Sequence, residues 1–87
     1  MADLYFDLKV VTPDGVALED KTISVVAPGT LGYLGILKNH APLVTSLGKG
    51  NLTYKDEAGQ AKTVHIEGGF LEVQKNRVLV LTDKVTK

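Results

Sequence analysis

Hydrophobic and polar residues alternate with a period of two along much of the chain. Between positions 4 and 10 every second residue is Leu, Phe or Val, and the residues between them are Tyr, Asp and Lys. Alternating or β-branched runs recur in later segments, notably 22–27, 43–47, 61–66, 70–73 and 78–81. This period predicts β-strands with one buried face, and no segment shows the 3.6-residue period of an amphipathic helix.

Short clusters of turn-forming residues separate these segments. In Thr12–Gly15, Pro13 presets φ and Gly15 supplies a positive φ. Asp56–Gly59 predicts the tip of a hairpin, and glycines at 48, 50, 68 and 69 interrupt two further strands. Turn signals about 8–12 residues apart predict an all-β fold, namely a two-sheet antiparallel β-sandwich or flattened barrel of about eight to ten short strands.

The length and composition narrow the possible classes of protein. With 87 residues, the chain is predicted to be a single domain over 1–87, in which residues 82–87 form a trailing tail. Ten basic and ten acidic residues cancel, whereas nucleic-acid-binding proteins usually carry a basic excess. The absence of cysteine excludes disulfides and thiol catalysis. No apolar run reaches the ~20 residues of a membrane span, so no direct membrane insertion is expected.

The side chains that carry chemistry are scattered. His40 precedes Ala-Pro in a turn, and His65 lies in a strand between two inward-facing positions, so neither meets a nucleophile. The acidic pairs at 19–20 and 56–57 fall in turns, where Asp bonds its own backbone. We therefore expect no catalytic residue, no cofactor and no metal site.

One alternative class remains open from the residues alone. A free-standing small β-barrel carrier or ligand-binding module has this size and strand content. A lipoyl or biotinyl carrier places its modified lysine at a mid-chain hairpin tip, however. Lys21 follows Asp20 but precedes a β-branched strand rather than lying in such a tip.

The glycine-rich centre of the chain has a more specific pattern. The segment Gly32–Leu43, GYLGILKNHAPL, resembles the G-x-L-G-I-x-P-G-H-A-P-L segment of the ε-subunit family of rotary ATP synthases. The segments Gly68–Gln74 and Val78–Asp83 are similar to that family's G-G-x-L-E-V and V-x-V-L-x-D strands. Leu8–Pro13 is similar to its first strand, so the resemblance covers nearly the whole chain in order and spacing.

The resemblance implies a non-catalytic subunit of the central stalk, or rotor. Such a subunit is a β-sandwich that binds the γ subunit and the membrane c-subunit ring, and couples proton-driven rotation to ATP synthesis. It also implies a hetero-oligomeric complex peripheral to a membrane, on the cytoplasmic face of the bacterial inner membrane or on the stromal face of a thylakoid membrane.

The resemblance also implies roles for individual residues. Tyr33 and Leu34 match the loop that faces the c-ring, and Tyr33 stands where the family often has an acid. Thr12, His40 and Thr45 match positions that lie toward γ. Because Tyr33 carries no charge, we expect its contact with the ring to be a stacking or hydrogen-bonding one in place of a charged one.

Other positions are expected to shape the backbone. The structural-turn residues are Gly32, Gly35, Pro42, Gly68 and Gly69. Lys38-Asn39 replace the family's Pro-Gly, and Asn tolerates a left-handed φ, so we expect the turn to survive with less rigidity.

The family usually continues into a C-terminal helical hairpin that inhibits ATP hydrolysis, whereas this sequence ends at Lys87. The corresponding expectation is coupling without hairpin-mediated inhibition.

Overall fold

A computed structural model describes residues 4–87, and every regular element within that range is a β-strand. The strands are, in chain order, β1 Phe6–Thr12, β2 Gly15–Thr22, β3 Ser24–Gly29, β4 Gly32–Ile36, β5 Leu43–Lys55, β6 Ala61–Gln74, β7 Arg77–Leu81 and β8 Val85–Thr86. The all-β prediction is confirmed, and the eight strands fall within the predicted range.

The strands form one continuous hydrogen-bonded path that folds into two layers. The path runs β2-β1-β7-β6-β5-β3-β4, with β8 added to β6. β5 and β6, 13 and 14 residues long, take part in both layers. In the first layer residues 70–74 of β6 pair with β7, and in the second layer residues 53–55 of β5 pair with β3.

The change of layer occurs where glycines of β5 and β6 face each other. The register runs from Leu47↔Gly69 to Lys49↔Glu67, so Gly48 and Gly68 lie at the crossing. The buried side chains of β6 change there from even positions, Val64 and Ile66, to odd positions, Leu71 and Val73. Because side chains alternate across a strand, this change of parity keeps both halves of β6 facing one core.

The core lies between the two layers. Among residues 4–87 it comprises fifteen buried hydrophobic residues, Phe6, Leu8, Val10, Val25, Ala27, Ile36, Leu47, Leu52, Tyr54, Val64, Ile66, Leu71, Val73, Val78 and Val80. Burying each large aliphatic side chain stabilises the fold by about 1.5–3 kcal/mol. This core supports two outer faces, which are the surfaces available to partners.

The fold differs from the sequence expectation in two details. β1 pairs with β7 in parallel, Leu8 opposite Val78, so the sheet is mixed rather than wholly antiparallel. Residues 82–87 are not a trailing tail: Val85 and Thr86 pair with β6, and Thr82 is 4% exposed. The Thr82 hydroxyl accepts a hydrogen bond from the Glu67 amide at 3.2 Å, which holds this segment against the crossing, where β5 and β6 bend from one layer into the other.

The turns gather at two ends of the sandwich. The glycine end, as we call it, contains the turns at 13–14 and 30–31 and the crossing at residues 48 and 68. The opposite end contains residues 22–24, 37–42, 56–60 and 75–76. This division decides which of the predicted site residues lie near one another.

Candidate interaction surfaces

The outer face of the first layer carries an exposed hydrophobic surface near the glycine end. One cross-strand row runs Val16, Val11, Leu81 and Phe70, and Val44 lies in the next row. Phe70 is 59% exposed and Val44 68% exposed. We call these five residues the apolar face. Residues paired across strands point to the same side of a sheet, so the face is contiguous.

The same outer face becomes charged toward the opposite end. Lys9 lies between Glu19 and Leu79, and Leu79 in turn lies opposite Glu72. One row further on, the Lys21 ammonium lies 3.2 Å from an Asp7 carboxylate oxygen. The apolar face thus has a rim of both charges, the composition typical of a surface that binds another protein.

A second exposed hydrophobic surface lies at the tip of the β3–β4 hairpin. Gly29 pairs with Gly32, which leaves Thr30 and Leu31 as the two turn residues. Leu31 is fully exposed, and Tyr33 is 65% exposed. We call residues 30–33 the hairpin tip. A hydrogen bond to β5 holds this turn in place, because the Thr30 amide donates to the Ser46 carbonyl at 3.2 Å.

Leu34 does not belong to this surface, although the resemblance placed it beside Tyr33 as a ring-facing residue. Its side chain is half-buried and packs against the hydrophobic core from β4. The exposed leucine is instead Leu31, which sequence reasoning missed. The available signal was a large aliphatic residue next to a glycine in a segment rich in turn residues.

The Leu34→Asp substitution is expected to destabilise the domain by about 2–4 kcal/mol, because it buries an unpaired carboxylate at the edge of the core. Tyr33→Asp is the matched control on the adjacent, exposed position, with an expected change below about 1 kcal/mol. Urea unfolding of both variants measures the difference. Equal stability of the two variants would show that Leu34 is a surface residue.

The three residues expected to face γ are not brought together by the fold. Thr12 lies at the glycine end, beside Val11 of the apolar face, and its hydroxyl accepts from the Asp14 amide at 3.2 Å. Thr45 is half-buried and pairs with the inward-facing Leu71. His40 lies in the 37–42 segment at the opposite end. Of the three, Thr12 alone borders the apolar face.

The predicted structural-turn residues divide into two groups. Gly32, Gly68 and Gly69 have positive φ, at a hairpin turn and at the bend. Gly35 instead lies inside β4 with open space around it, and Pro42 is an exposed residue directly before β5. Only the first group therefore holds a backbone conformation that favours glycine.

A polar network joins the two layers at the opposite end. The Tyr54 hydroxyl of β5 donates to an Asp20 carboxylate of β2 at 3.1 Å, and the Lys62 ammonium lies 3.7 Å from the same oxygen. Burial, followed by the hydrogen bond to Asp20, raises the pKa of Tyr54 to about 12. The amides of Gln60 and Ala58, together with Lys62, lower the pKa of Asp56. These groups stabilise the fold and show no catalytic arrangement.

Raising the pH from 10 to 12 is expected to destabilise the protein more steeply than its Tyr54→Phe variant. The pKa of Tyr54 rises from 10.0 to about 12 on folding, so the unfolded state releases the proton first. The corresponding stabilisation is complete below pH 10 and is lost as the pH approaches 12. Denaturant unfolding at several pH values measures both slopes, and identical slopes would contradict the assignment.

The two histidines remain separate in the structure. A ring nitrogen of His40 lies 2.7 Å from the Ala41 carbonyl oxygen, and one of His65 lies 3.3 Å from the Asn51 side-chain oxygen. Within residues 4–87, no group of three or more His, Cys, Asp or Glu side chains is arranged to hold a metal ion. The same residues include no helix long and apolar enough to span a membrane.

The fold and its surfaces define a small β-sandwich with two separate exposed hydrophobic surfaces. Residues 5–87 match the family model of the ATP synthase Delta/Epsilon chain beta-sandwich domain, and the chain belongs to this family. It is 47% identical over 83 residues to the ATP synthase epsilon chain of Syntrophomonas wolfei, covering 95% of this chain and 61% of that one. It is 49% identical over 76 residues to that of Carboxydothermus hydrogenoformans, covering 87% and 56%. The chain thus spans less than two thirds of either relative.

Solved structures agree with this fold. A chain in the Euglena gracilis mitochondrial ATP synthase, in a structure of OSCP, F1 and the c-ring, superposes with a TM-score of 0.90 at 23% identity and covers 99% of this chain and 55% of that chain. A chain in the central stalk and c-ring of the Tetrahymena thermophila mitochondrial enzyme gives 0.76 at 15% identity, covering 93% and 65%. At these identities the likeness establishes the fold.

Proposed function

We propose that this domain is a non-catalytic adaptor in the central stalk of an ATP synthase. It binds the γ subunit with one surface and the c-subunit ring with another, and transmits proton-driven rotation toward ATP synthesis. The observation that carries the proposal is the presence of two exposed hydrophobic surfaces in different parts of one sandwich. An adaptor between two partners needs this arrangement and no active site.

The apolar face is assigned to γ. Its five side chains lie on five adjacent strands, an extended area suited to packing against an elongated partner. The charged rim formed by Lys9, Glu19 and Glu72 adds selectivity for the partner's orientation, because complementary charges fix register more than they add affinity. Thr12 borders this assigned contact through its neighbour Val11. Thr45 points inward and is not part of the face, and His40 lies in the separate 37–42 segment.

The hairpin tip is assigned to the c-ring. Leu31 projects at the turn of the β3–β4 hairpin, and the exposed Tyr33 lies beside it with its hydroxyl over Gly50 of β5. A short polar loop of a ring subunit is able to reach both. Tyr33 presents an apolar ring with a hydroxyl, which suits a surface that is partly wet. This assignment retains Tyr33 from the sequence expectation and replaces Leu34 with Leu31.

The body between the two surfaces suits the transmission of torque. Its strands are linked through β5 and β6, which run through both layers, and the Tyr54–Asp20 hydrogen bond ties the layers at the opposite end. Close-packed interiors resist deformation, so the two surfaces move together. The resulting location is peripheral, on the bacterial cytoplasmic or the thylakoid stromal side of the membrane.

Co-purification with separately prepared γ subunit and detergent-solubilised c-ring tests this proposal. The chain is expected to retain γ, and the γ-bound chain is expected to retain the ring. Failure to bind γ under conditions where γ is folded would contradict the proposal. A mass increase at a lysine in protein isolated from cells would instead favour the carrier alternative.

A further inference from the structure

The 37–42 segment forms a turn without the proline that would make its shape rigid. The His40 amide donates to the Leu37 carbonyl at 3.2 Å, which closes a four-residue turn, and Asn39 has φ of 65° at its third position. Turns with a positive φ at that position favour Pro second and Gly or Asn third. Here Asn39 suits the third position, but Lys38 stands where Pro would preset φ. The turn therefore has one of the two local residue preferences and lacks the more rigid one.

A contact from a different hairpin supplies the missing restraint. The Asn39 backbone amide donates to the Asn76 side-chain oxygen at 2.7 Å. In return, the Asn76 side-chain amide donates to the Asn39 side-chain oxygen at 3.2 Å. We call these two hydrogen bonds the amide clasp. They join residues 37 positions apart in the sequence.

Asn76 is itself held firmly. It lies with Lys75 in the two-residue β6–β7 turn, where both residues have positive φ, 60° and 49°. Such a turn matches the twist of the flanking strands. The Asn76 carbonyl also accepts from the Asp7 amide of β1 at 3.1 Å. The clasp thus attaches the 37–42 segment to a fixed point in the first layer.

We propose that Asn39 and Asn76 are positioning residues, which hold the 37–42 segment in one conformation as an additional contact for the rotor partner. The segment presents Leu37, which is 64% exposed, and His40, which the resemblance placed toward γ. It leads into β5 and Val44 of the apolar face. The inference rests on the proposed function, because the partner is the γ subunit assigned there.

Binding to γ is expected to weaken when the amide clasp is lost. If the segment binds γ only in its clasped conformation, the apparent dissociation constant rises by the factor by which that population falls. Loss of both hydrogen bonds is expected to lower this population roughly ten-fold, and to weaken binding by a similar factor. Neither asparagine needs to touch γ for this effect.

The test uses Asn76→Gly, which removes both hydrogen bonds while suiting the positive φ at this position. Lys75→Gly, one residue away, leaves the clasp intact and is the matched control. Amide hydrogen exchange at Asn39 and His40 is expected to accelerate about ten-fold in Asn76→Gly alone. Unchanged exchange in that variant would overturn the proposal.

Binding to γ provides a second readout with its own rescue. Adding Lys38→Pro to Asn76→Gly presets φ at the second turn position and is expected to restore most of the lost affinity. Failure of the rescue would count against positioning. If Leu37→Asp and His40→Ala bind γ as the natural chain does, the segment is not a contact and the positioning proposal fails.

Failure of the natural chain itself to bind γ would refute the proposed function, while the exchange result would still report on the clasp.

Discussion

The Gly69→Ala variant is expected to lose about 3–5 kcal/mol of stability, a large share of the total for a domain of 87 residues. A Cβ at this position would overlap the Leu81 carbonyl oxygen and lie 2.8 Å from its carbonyl carbon. It would also lie 2.9 Å from the Thr82 Cα. These are backbone atoms, which cannot rotate away, and φ of 110° adds strain for any residue with a side chain.

Two other glycines provide graded controls for this prediction. Gly68 has φ of 76°, but its nearest neighbour to a new Cβ is 3.8 Å away, so Gly68→Ala is expected to cost about 1–2 kcal/mol from backbone strain alone. Gly35 has open space and no positive φ, and Gly35→Ala is expected to be neutral within about 0.5 kcal/mol. Thermal or denaturant unfolding ranks all three variants. Near-equal stability of Gly69→Ala and Gly35→Ala would contradict the described bend.

The Phe70→Asp variant is expected to lose at least about 2 kcal/mol of affinity for γ, roughly 30-fold or more. Phe70 is the largest side chain of the apolar face and lies between Leu81 and the strand that carries Val44, and the substitution places a carboxylate where γ would exclude water. Because Phe70 is 59% exposed, the stability of the isolated domain is expected to change by no more than about 1 kcal/mol. Titration of purified γ with the variant and the natural chain measures the difference.

Val26→Asp is the matched control for that experiment. Val26 is a comparably exposed hydrophobic residue at 42%, but it lies on β3, on the outer face of the second layer. Its substitution is expected to leave the affinity for γ unchanged. If Val26→Asp weakens binding as much as Phe70→Asp, γ does not select the apolar face.

Strand-forming segments and their core positions were predictable because β-strand burial is a local, period-two property. Leu8 and Val10 show it before the first turn, and Val64 and Ile66 show it again later in the chain. The glycines at 48 and 68 were expected to interrupt strands. In the structure they instead let two long strands bend through both layers, an effect that depends on the pairing of β5 with β6.

The surfaces were less predictable because they depend on contacts between distant segments. The apolar face exists because β7 lies parallel to β1, which places Leu81 beside Val11. No local pattern specifies that pairing. Likewise, strand register decides that Thr45 shares the inward side of the sheet with Leu71. The fold, and not the spacing in the sequence, places Thr12 and His40 at opposite ends.

In the proposed function, different partners cover two surfaces of this domain in the assembled stalk, and a thiol-protection experiment tests this directly. The chain has no cysteine, so Phe70→Cys, Leu31→Cys and Val26→Cys each introduce a single thiol. Thiol labelling, read by the mass of this chain, compares each variant alone, with γ, and with γ and the c-ring. Cys at 70 is expected to become protected when γ is added and Cys at 31 when the ring is added, while Cys at 26 stays reactive throughout. Protection at position 26 with continued labelling at 70 and 31 would contradict the account.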